Sequence, residues 1–114
     1  MEKNYRLKKN GAFQYVYRRG KSSSTRDLVM LYAKGNGLKV GFSVSKKVGN
    51  AVARNLVKRR LRECFRPHLR DVKNGLYVIV ARPSAATANF QSLSRQVHDL
   101  LTRQHAFKEV NRAK

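Results

Sequence analysis

The pattern of apolar and polar positions divides the chain into short helices and short strands. Where apolar residues recur at i, i+3 and i+4, a helix with one buried face is expected. Such helices are predicted over 10–19, 50–66 and 89–105. Unbroken or alternating apolar runs bounded by turn residues indicate strands, which are predicted over 28–33, 39–45 and 76–82. This order of elements predicts an α+β fold with one small sheet. A single domain is expected over 1–114, with loosely ordered ends at 1–9 and 108–114.

Cap and turn residues mark the boundaries of these elements. Asn10 is expected to cap the first helix and Gly20 to follow its last turn. The serine-rich stretch 21–26 is expected to be a loop. A glycine-rich turn at 34–37 joins the first two strands, so they are predicted to pair as an antiparallel hairpin. The apolar stripe of the last helix comprises Phe90, Leu93, Val97, Leu100 and Leu101.

The strand over 39–45 has two unequal faces. One carries Val40, Phe42 and Val44, and the other carries Gly41, Ser43 and Ser45. A face of only glycine and serine leaves the backbone open to close approach. It is solvated, or it is packed closely by a helix, or it binds a ligand.

The helix over 50–66 separates its apolar and basic residues onto neighbouring arcs when residues are placed about 100° apart. The apolar arc comprises Ala53, Val57, Leu61, Cys64 and Phe65. The basic arc comprises Asn55, Lys58, Arg59, Arg62 and Arg66, with Arg54 at its border and Arg60 outside both arcs. Like charges at i and i+4 destabilise a helix by roughly 0.2–0.5 kcal/mol per pair. A row of such pairs is best tolerated when phosphates lie against it, and a solvated basic face is the alternative.

The charge of the whole chain favours a bound polyanion. Lys and Arg number 26 against six Asp and Glu, which gives a formal net charge of +20. A compact domain with this excess repels itself unless nucleic acid, an anionic membrane surface or a strongly acidic protein neutralises it. Arginine grips phosphate in two places, and Asn55 could contact a base edge or a 2′-hydroxyl. The basic residues occur in every predicted element, so we expect a folded basic surface rather than a tail.

Residues just before this helix extend the basic surface. Lys46 and Lys47 precede Gly49 and Asn50 at the expected helix start. The first backbone N–H groups of a helix have no partner within it, so they can bind a phosphate. By itself this signal is weak, and it gains weight from the adjoining basic arc.

Three aromatic residues form a second candidate group. Phe13 and Tyr17 lie one turn apart on the first helix, and Phe42 lies on the alternating strand. Single-stranded nucleic acid is commonly held in a basic groove by rings on which bases stack. Burial of all three rings in the core is the simpler alternative.

Residues that could catalyse a reaction unaided are scarce. The three histidines are scattered, and the six acids show no ligand-like pair, so these acids are expected to be surface or helix-end charges. Zinc, phosphate-loop and nucleophile-elbow patterns are absent. Cys64 is the one cysteine and is expected to be a small buried hydrophobe. Without a membrane-length apolar run or a secretory leader, cytoplasmic residence is expected.

One segment matches the signature of a known family. Residues 40–63 closely resemble the corresponding part of the bacterial ribonuclease P protein component. The family's hallmark Arg-Asn-x-x-Lys-Arg-x-x-Arg is met by Arg54, Asn55, Lys58, Arg59 and Arg62. The likeness continues in Leu7-Lys-Lys-Asn, in the segment from Phe13 to Tyr17, and in Tyr77-Val-Ile-Val-Ala-Arg. Tyr17 stands where phenylalanine is usual in the family.

The resemblance implies a two-layer α+β sandwich like the second domain of ribosomal protein S5, with a left-handed βαβ crossover. Physical chemistry alone favours a right-handed one. It also implies a ribonucleoprotein endoribonuclease that removes the 5′ leader from precursor tRNA. In that family an RNA subunit holds the catalytic Mg²⁺ and cleaves, while the protein binds this RNA and the single-stranded leader. No cofactor, small-molecule substrate or membrane is expected for the protein itself.

The family's binding residues can be carried over by position. The ribonuclease P RNA would contact Lys46, Lys47, Asn50, Arg54, Asn55, Lys58, Arg59 and Arg62. The leader would lie in a cleft between the sheet and the first helix, lined by Phe13, Tyr17 and Phe42.

Three other functions share some of these features. A ribosomal-type protein or RNA chaperone would have the same charge and size, but it would bind many RNAs with little preference. A DNA-binding module would need a second helix joined by a tight turn to the basic one. A self-sufficient nuclease would cleave without any RNA subunit.

Overall fold

The computed structural model describes residues 5–108. In chain order the elements are α1 (Asn10–Arg19), β1 (Lys21–Ser24), β2 (Leu28–Ala33), β3 (Leu38–Val44), α2 (Ala51–Phe65), β4 (Gly75–Ala81) and α3 (Phe90–Arg103). Short 3-10 helices at Arg66–His68 and Pro83–Thr87 follow α2 and β4. Every predicted helix and strand is present with ends shifted by at most two residues, which confirms the α+β class. The loose ordering predicted for 1–4 and 109–114 lies outside the described residues.

The strands form one sheet in the order β1-β2-β4-β3. β4 pairs antiparallel with β2 and parallel with β3, so the predicted hairpin of β2 with β3 is wrong. β4 takes the position between them because its run from Leu76 to Ala81 is apolar on both faces, as a strand covered on both sides requires. The β3–α2–β4 unit is the expected βαβ crossover. Its left-handedness and the likeness to S5 stay predictions.

The stretch predicted as a loop contains a strand. Residues 21–24 form β1, which pairs antiparallel with β2 from Lys21 opposite Tyr32 to Ser24 opposite Val29. A serine run has a low intrinsic strand preference, so its pattern gave no sign of this pairing. The end of α3 holds β1 in place, because Arg103 donates to the Ser24 carbonyl at 2.6 Å and the Gln104 amide donates to the Lys21 carbonyl at 2.9 Å.

Helices cover both faces of the sheet. α2 and α3 form the helical layer over the main core, whose largest buried side chains include Leu28, Met30, Leu61, Phe65, Tyr77, Ile79, Leu93, Leu100 and Leu101. α1 lies on the opposite face over a smaller core of Leu7, Val16, Ala33 and Val78. The main core therefore stabilises the domain, and α1 leaves part of the second face uncovered next to β3.

The helix ends confirm some expected caps and correct others. Asn10 is the first residue of α1, and Lys9 occupies the cap position without a side-chain bond. Gly20 is the C-terminal cap residue with an extended backbone rather than a left-handed one. By contrast, Asn50 caps α2 by accepting from the Ala53 N–H at 2.9 Å, and Asn89 caps α3 in the same way.

Two sequence predictions about side-chain burial are wrong. Phe90 does not belong to the buried stripe of α3, because it stands in the first turn with 45% of its surface exposed. Asp27 is not a surface charge: it is buried, and the Gln96 amide donates to its Oδ2 at 2.6 Å. Burial alone would raise the pKa of Asp27, but hydrogen bonds from Ser84 and Gln96 and two nearby arginines outweigh burial and lower it.

Candidate nucleic-acid interface

α2 separates its two arcs as its sequence predicts. Val57, Leu61, Cys64 and Phe65 are buried against the sheet and α3, while the basic arc faces away from the main core. Cys64 is the small buried hydrophobe expected, and burial together with the charge of Glu63 raises the pKa of its thiol to about 11. A thiol so hard to ionise is a poor nucleophile at neutral pH, which fits a packing role for Cys64.

The cations of the basic arc lack compensating acids. Within residues 5–108 the ion pairs are Arg26 with Asp27 at 3.9 Å and Arg66 with Glu63 at 3.1 Å. Arg66 is thus neutralised from within its own helix. Arg54, Lys58, Arg59 and Arg62 have no acidic partner in this part of the chain. No acidic side chain in this part of the chain therefore relieves their mutual repulsion.

A cavity of about 240 Å³ opens where α1, β3 and α2 come together. Phe13 of α1, Gly41 and Phe42 of β3, and Lys58 and Arg62 of α2 line it. The structure therefore brings together four of the predicted site residues from three separate elements. A ring beside two uncompensated cations is the arrangement that holds a base and its phosphate.

The glycine–serine face of β3 is explained at Gly41 by close packing. A Cβ added to Gly41 would lie 2.5 Å from Cζ of Phe13, nearer than real Cβ contacts come. Any larger residue would push the Phe13 ring away from the strand. Of the three explanations left open by the sequence, the closely packed helix is correct at this position, and it is also what creates the cavity beside it.

The segment before α1 completes the cavity and was missed by the sequence analysis. The Leu7 N–H donates to the Val40 carbonyl at 3.0 Å, and Arg6 pairs with Val40 as an isolated parallel bridge. This part of the expected loose end is therefore bonded to the outer edge of β3. Leu7 is buried, and a lone leucine within a basic stretch was the one available sign of this contact.

The remaining aromatic predictions differ in outcome. Phe42 packs against the main core on the α2 face of the sheet, whereas Phe13 packs against the smaller core on the α1 face. Both line the cavity, which lies at the edge formed by β3. Tyr17 does not line this cavity. Its ring is 40% exposed, with its centroid 6.5 Å from that of Phe13, and it extends the same flank of α1 outward.

The basic arc borders a second depression on its outer side. This hollow of about 460 Å³ is lined by Val52, Asn55, Leu56, Arg59 and Arg62. Arg62 belongs to both cavities, whereas Asn55 and Arg59 face away from Phe13. Asn55, Lys58, Arg59 and Arg62 thus form two adjoining surfaces that meet at Arg62. Arg54 lines neither cavity: it is half-buried, and its Nε is buried without a hydrogen-bond partner within residues 5–108.

The start of α2 carries the remaining predicted contacts. Lys46 and Lys47 are exposed in the turn that leads into the helix. The side-chain oxygen of Asn50 is used in capping, so any ligand contact by Asn50 would come from its amide nitrogen. These residues extend the basic surface of α2 to the turn that precedes the helix.

Residues 5–108 contain neither a metal-binding cluster nor a membrane-spanning helix. No group of three or more His, Cys, Asp or Glu residues in that range could hold a metal ion. No helix in the same range is long and apolar enough to cross a bilayer.

Known proteins share both the sequence and the fold. A family model described as Ribonuclease P matches residues 1–105. The ribonuclease P protein component of Staphylococcus carnosus is 42% identical over 104 residues, covering 89% of this chain and 90% of the relative. That of Listeria welshimeri is 43% identical over 106 residues, covering 89% and 88%.

Solved structures agree with the sequence relatives. The Staphylococcus aureus RNase P protein superposes with a TM-score of 0.85 at 33% identity, covering 91% of this chain and 98% of that one. The RNase P protein of Thermotoga maritima gives 0.76 at 28% identity, covering 86% and 96%. With this match of motif, length and fold, the chain belongs to the ribonuclease P protein component family.

Proposed function

We propose that this protein is the RNA-binding subunit of a ribonuclease P that removes the 5′ leader from precursor tRNA. The observation that carries the proposal is the cavity shared by Phe13, Lys58 and Arg62. It joins a ring able to stack on an unpaired base to cations able to bind the adjoining phosphates. Family membership supplies the ribonucleoprotein context and favours this function over a general RNA chaperone.

The two surfaces that meet at Arg62 suggest a division of labour. The outer surface of α2, with Asn55 and Arg59, would lie against the RNA subunit, together with Lys46 and Lys47. The Phe13 cavity would hold the leader, because only this surface has a ring beside the cations. Arg62, which borders both, would stand where the RNA subunit and the leader come closest.

Cleavage itself is assigned to the RNA subunit. The described residues offer no metal cluster and no activated nucleophile, so the protein's contribution is electrostatic and positional. Mg²⁺ held by the RNA would supply the charge stabilisation and activated water of phosphodiester hydrolysis. The protein would reduce repulsion between two polyanions and fix the leader, working in the cytoplasm where tRNA is made.

Reconstitution tests this proposal directly. We expect the full chain, mixed with a bacterial ribonuclease P RNA at low Mg²⁺, to increase the rate of leader removal by orders of magnitude over the RNA alone. The K58A/R62A variant should lose most of this stimulation, while R70A/R95A, which removes the same charge from exposed positions elsewhere, should retain it. Cleavage by the protein without RNA would contradict the assignment of catalysis, and absence of stimulation would contradict the proposal as a whole.

A further inference from the structure

α1 presents two different flanks beside its buried line. Val16 is fully buried against the sheet. Because successive residues turn by about 100°, Phe13 and Tyr17 lie to one side of Val16, and Tyr15 and Arg19 lie to the other. Of the first pair, Phe13 lines the cavity described above, and Tyr17 lies farther out on the same flank. The second pair faces another cavity that the proposed function leaves unused.

This third cavity, of about 410 Å³, lies at the β1–β2 side of the sheet, away from β3. It forms where the end of β2, the start of β1, the turn before β4 and the end of α3 meet. Five of its nine lining residues are basic and none is acidic. Four of the five are cations, Arg19, Lys21, Lys34 and Lys73, and the fifth is His105. Tyr15 stands at its rim with 42% of its surface exposed.

Packing and hydrogen bonds fix the floor of this cavity. The Tyr32 hydroxyl donates to the Asn74 carbonyl at 2.7 Å, and Nζ of Lys73 lies 4.7 Å from the centre of the Tyr32 ring. Gly75 has a φ of +150°, and any side chain there would overlap the same ring. The Gln104 amide joins β1 to β2 by donating to the carbonyls of Lys21 and Met30. These contacts fix the residues that form the floor of the cavity, beside its cations.

These cations are as uncompensated as those of α2. Within residues 5–108, none of the five basic lining residues forms an ion pair with an acid. Lys73 is partly engaged with the Tyr32 ring, and His105 is held in the left-handed region at a φ of 53°. The left-handed conformation is uncommon for a residue other than glycine, so the surroundings of His105 have to maintain it.

We propose that this cavity is a second RNA site, which binds the phosphates of a single-stranded segment while a base stacks on Tyr15. The concentration of positive charge selects a polyanion, and the exposed ring selects one that carries flat bases. The site goes beyond the proposed function, which uses only the β3 side of α1 and the surface of α2. It would let one α1 helix hold RNA on both of its flanks.

A salt titration separates this site from the effect of net charge. The probe is a fluorescently labelled octauridylate, and its binding to the full chain is followed by anisotropy over a range of KCl. R19A/K34A should reduce the slope of log affinity against log salt by about one to two units. The control R70A/R95A removes equal charge from exposed positions outside the cavity and should change the slope less. Equal changes in the two variants would overturn the proposal.

Two substitutions at Tyr15 test the stacking. Y15F keeps the ring and should bind octauridylate like the unaltered chain, whereas Y15A should bind roughly fivefold or more weakly. Tyr15 is exposed, so both variants are expected to fold, and thermal unfolding checks this. Identical affinities for Y15A and Y15F would overturn stacking. Displacement of the oligonucleotide by polyglutamate of equal charge would overturn RNA as the ligand class.

Backbone resonances locate the bound strand. On titration with octauridylate, amides near Arg19, Lys34 and His105 should shift in the ¹⁵N spectrum, and they should still shift in the F13A variant. Shifts confined to β3 and α2 would overturn the second site while leaving the proposed function intact. Loss of leader removal in reconstitution with normal shifts here would do the reverse, so the two failures are distinguishable.

Discussion

The two flanks of α1 carry the same chemistry, but they are assembled differently. On the β3 side, two of the three cations, Lys58 and Arg62, come from one helix, and the ring of Phe13 is packed against Gly41. On the β1 side, the cations come from several elements, and the ring of Tyr15 stands free at the rim. A charge row on one helix is visible in sequence, whereas charges gathered by tertiary folding are not. The proposed site on the β1 side therefore has no counterpart in a sequence motif.

The difference in ring packing also implies a difference in role. Phe13 is held by the close approach of β3, so its position is fixed before RNA binds and little entropy is lost on binding. Tyr15 is exposed at the rim of its cavity, so we expect its ring to be ordered only when a ligand binds. We therefore expect the β3 side to discriminate between RNAs more sharply than the β1 side.

The largest expected effect is the loss of the α2 cations. K58A/R62A should weaken binding to ribonuclease P RNA by roughly a hundredfold at moderate salt, because two charged hydrogen-bonding groups are removed. The slope of log affinity against log salt should fall by about two units. Filter binding over a salt series measures both quantities. If R70A/R95A causes the same loss, net charge rather than position controls binding.

Next in size is the loss of the packed ring. F13A should weaken binding of precursor tRNA roughly tenfold relative to mature tRNA, since one stacked base is lost only from the substrate that has a leader. Y15A is the matched control from the opposite flank and should leave this ratio unchanged. Competition binding with the two tRNAs measures the ratio, and circular dichroism confirms folding. A ratio that Y15A changes as much as F13A would erase the distinction between the flanks.

A smaller effect is expected from filling the space at Gly41. G41A should displace the Phe13 ring, cost about 1–3 kcal/mol of unfolding free energy and reduce the preference for precursor tRNA a few fold. G11A is the control, because a Cβ at Gly11 meets nothing within 4 Å. Alanine there should raise the unfolding free energy by about 0.5–1 kcal/mol, as it does within helices generally. Chemical denaturation and the tRNA competition assay report the two effects.

The smallest effect on RNA binding should come from substitution of Asp27, which lines none of the three cavities. Hydrogen bonds and nearby arginines lower its pKa below the ordinary value of 3.8 despite burial. Its ionised form therefore stabilises the fold above that value, and this stability is lost as the pH falls through the lower pKa of the folded state. D27N should lower the unfolding free energy at neutral pH and show a flatter acid dependence, with RNA affinity unchanged.

Urea unfolding between about pH 2 and pH 6 measures this acid dependence. D99N provides the comparison, because Asp99 is an exposed acid on α3. A slope for D27N equal to that of the unaltered chain would show that Asp27 does not carry the acid sensitivity. A loss of RNA affinity in D27N would show that the two flanks depend on this end of the sheet.

Much of the fold and the row of cations on α2 could be predicted because they depend on local pattern. The helices and the strands β2, β3 and β4 follow from apolar spacing, and the α2 row follows from residues three and four apart. The pairing of β4 between β2 and β3 did not follow, because the turn at 34–37 suggested a hairpin and nothing local opposes one. The hairpin does not form because β4, which is distant in sequence and apolar on both faces, is buried between β2 and β3.

The errors at single residues have the same origin. Asp27 seemed a surface charge because its partner Gln96 is distant in sequence. β1 seemed a loop because its serines gain their pairing from β2 and their anchoring from α3. The cavity on the β1 side could not be predicted for the same reason, since Lys21, Lys34 and Lys73 become neighbours only in the folded protein.

The central place of β4 in the sheet has a consequence for synthesis. Both β2 and β3 bond to β4, which comes after them in the chain, and not to each other. A growing polypeptide therefore cannot close the sheet until residues 75–81 have emerged from the ribosome. Until then its cationic residues are attached to an unfolded chain in the presence of ribosomal RNA. Translation speed across the segment between α2 and β4 would thus affect how much of the newly made protein folds free of the wrong RNA.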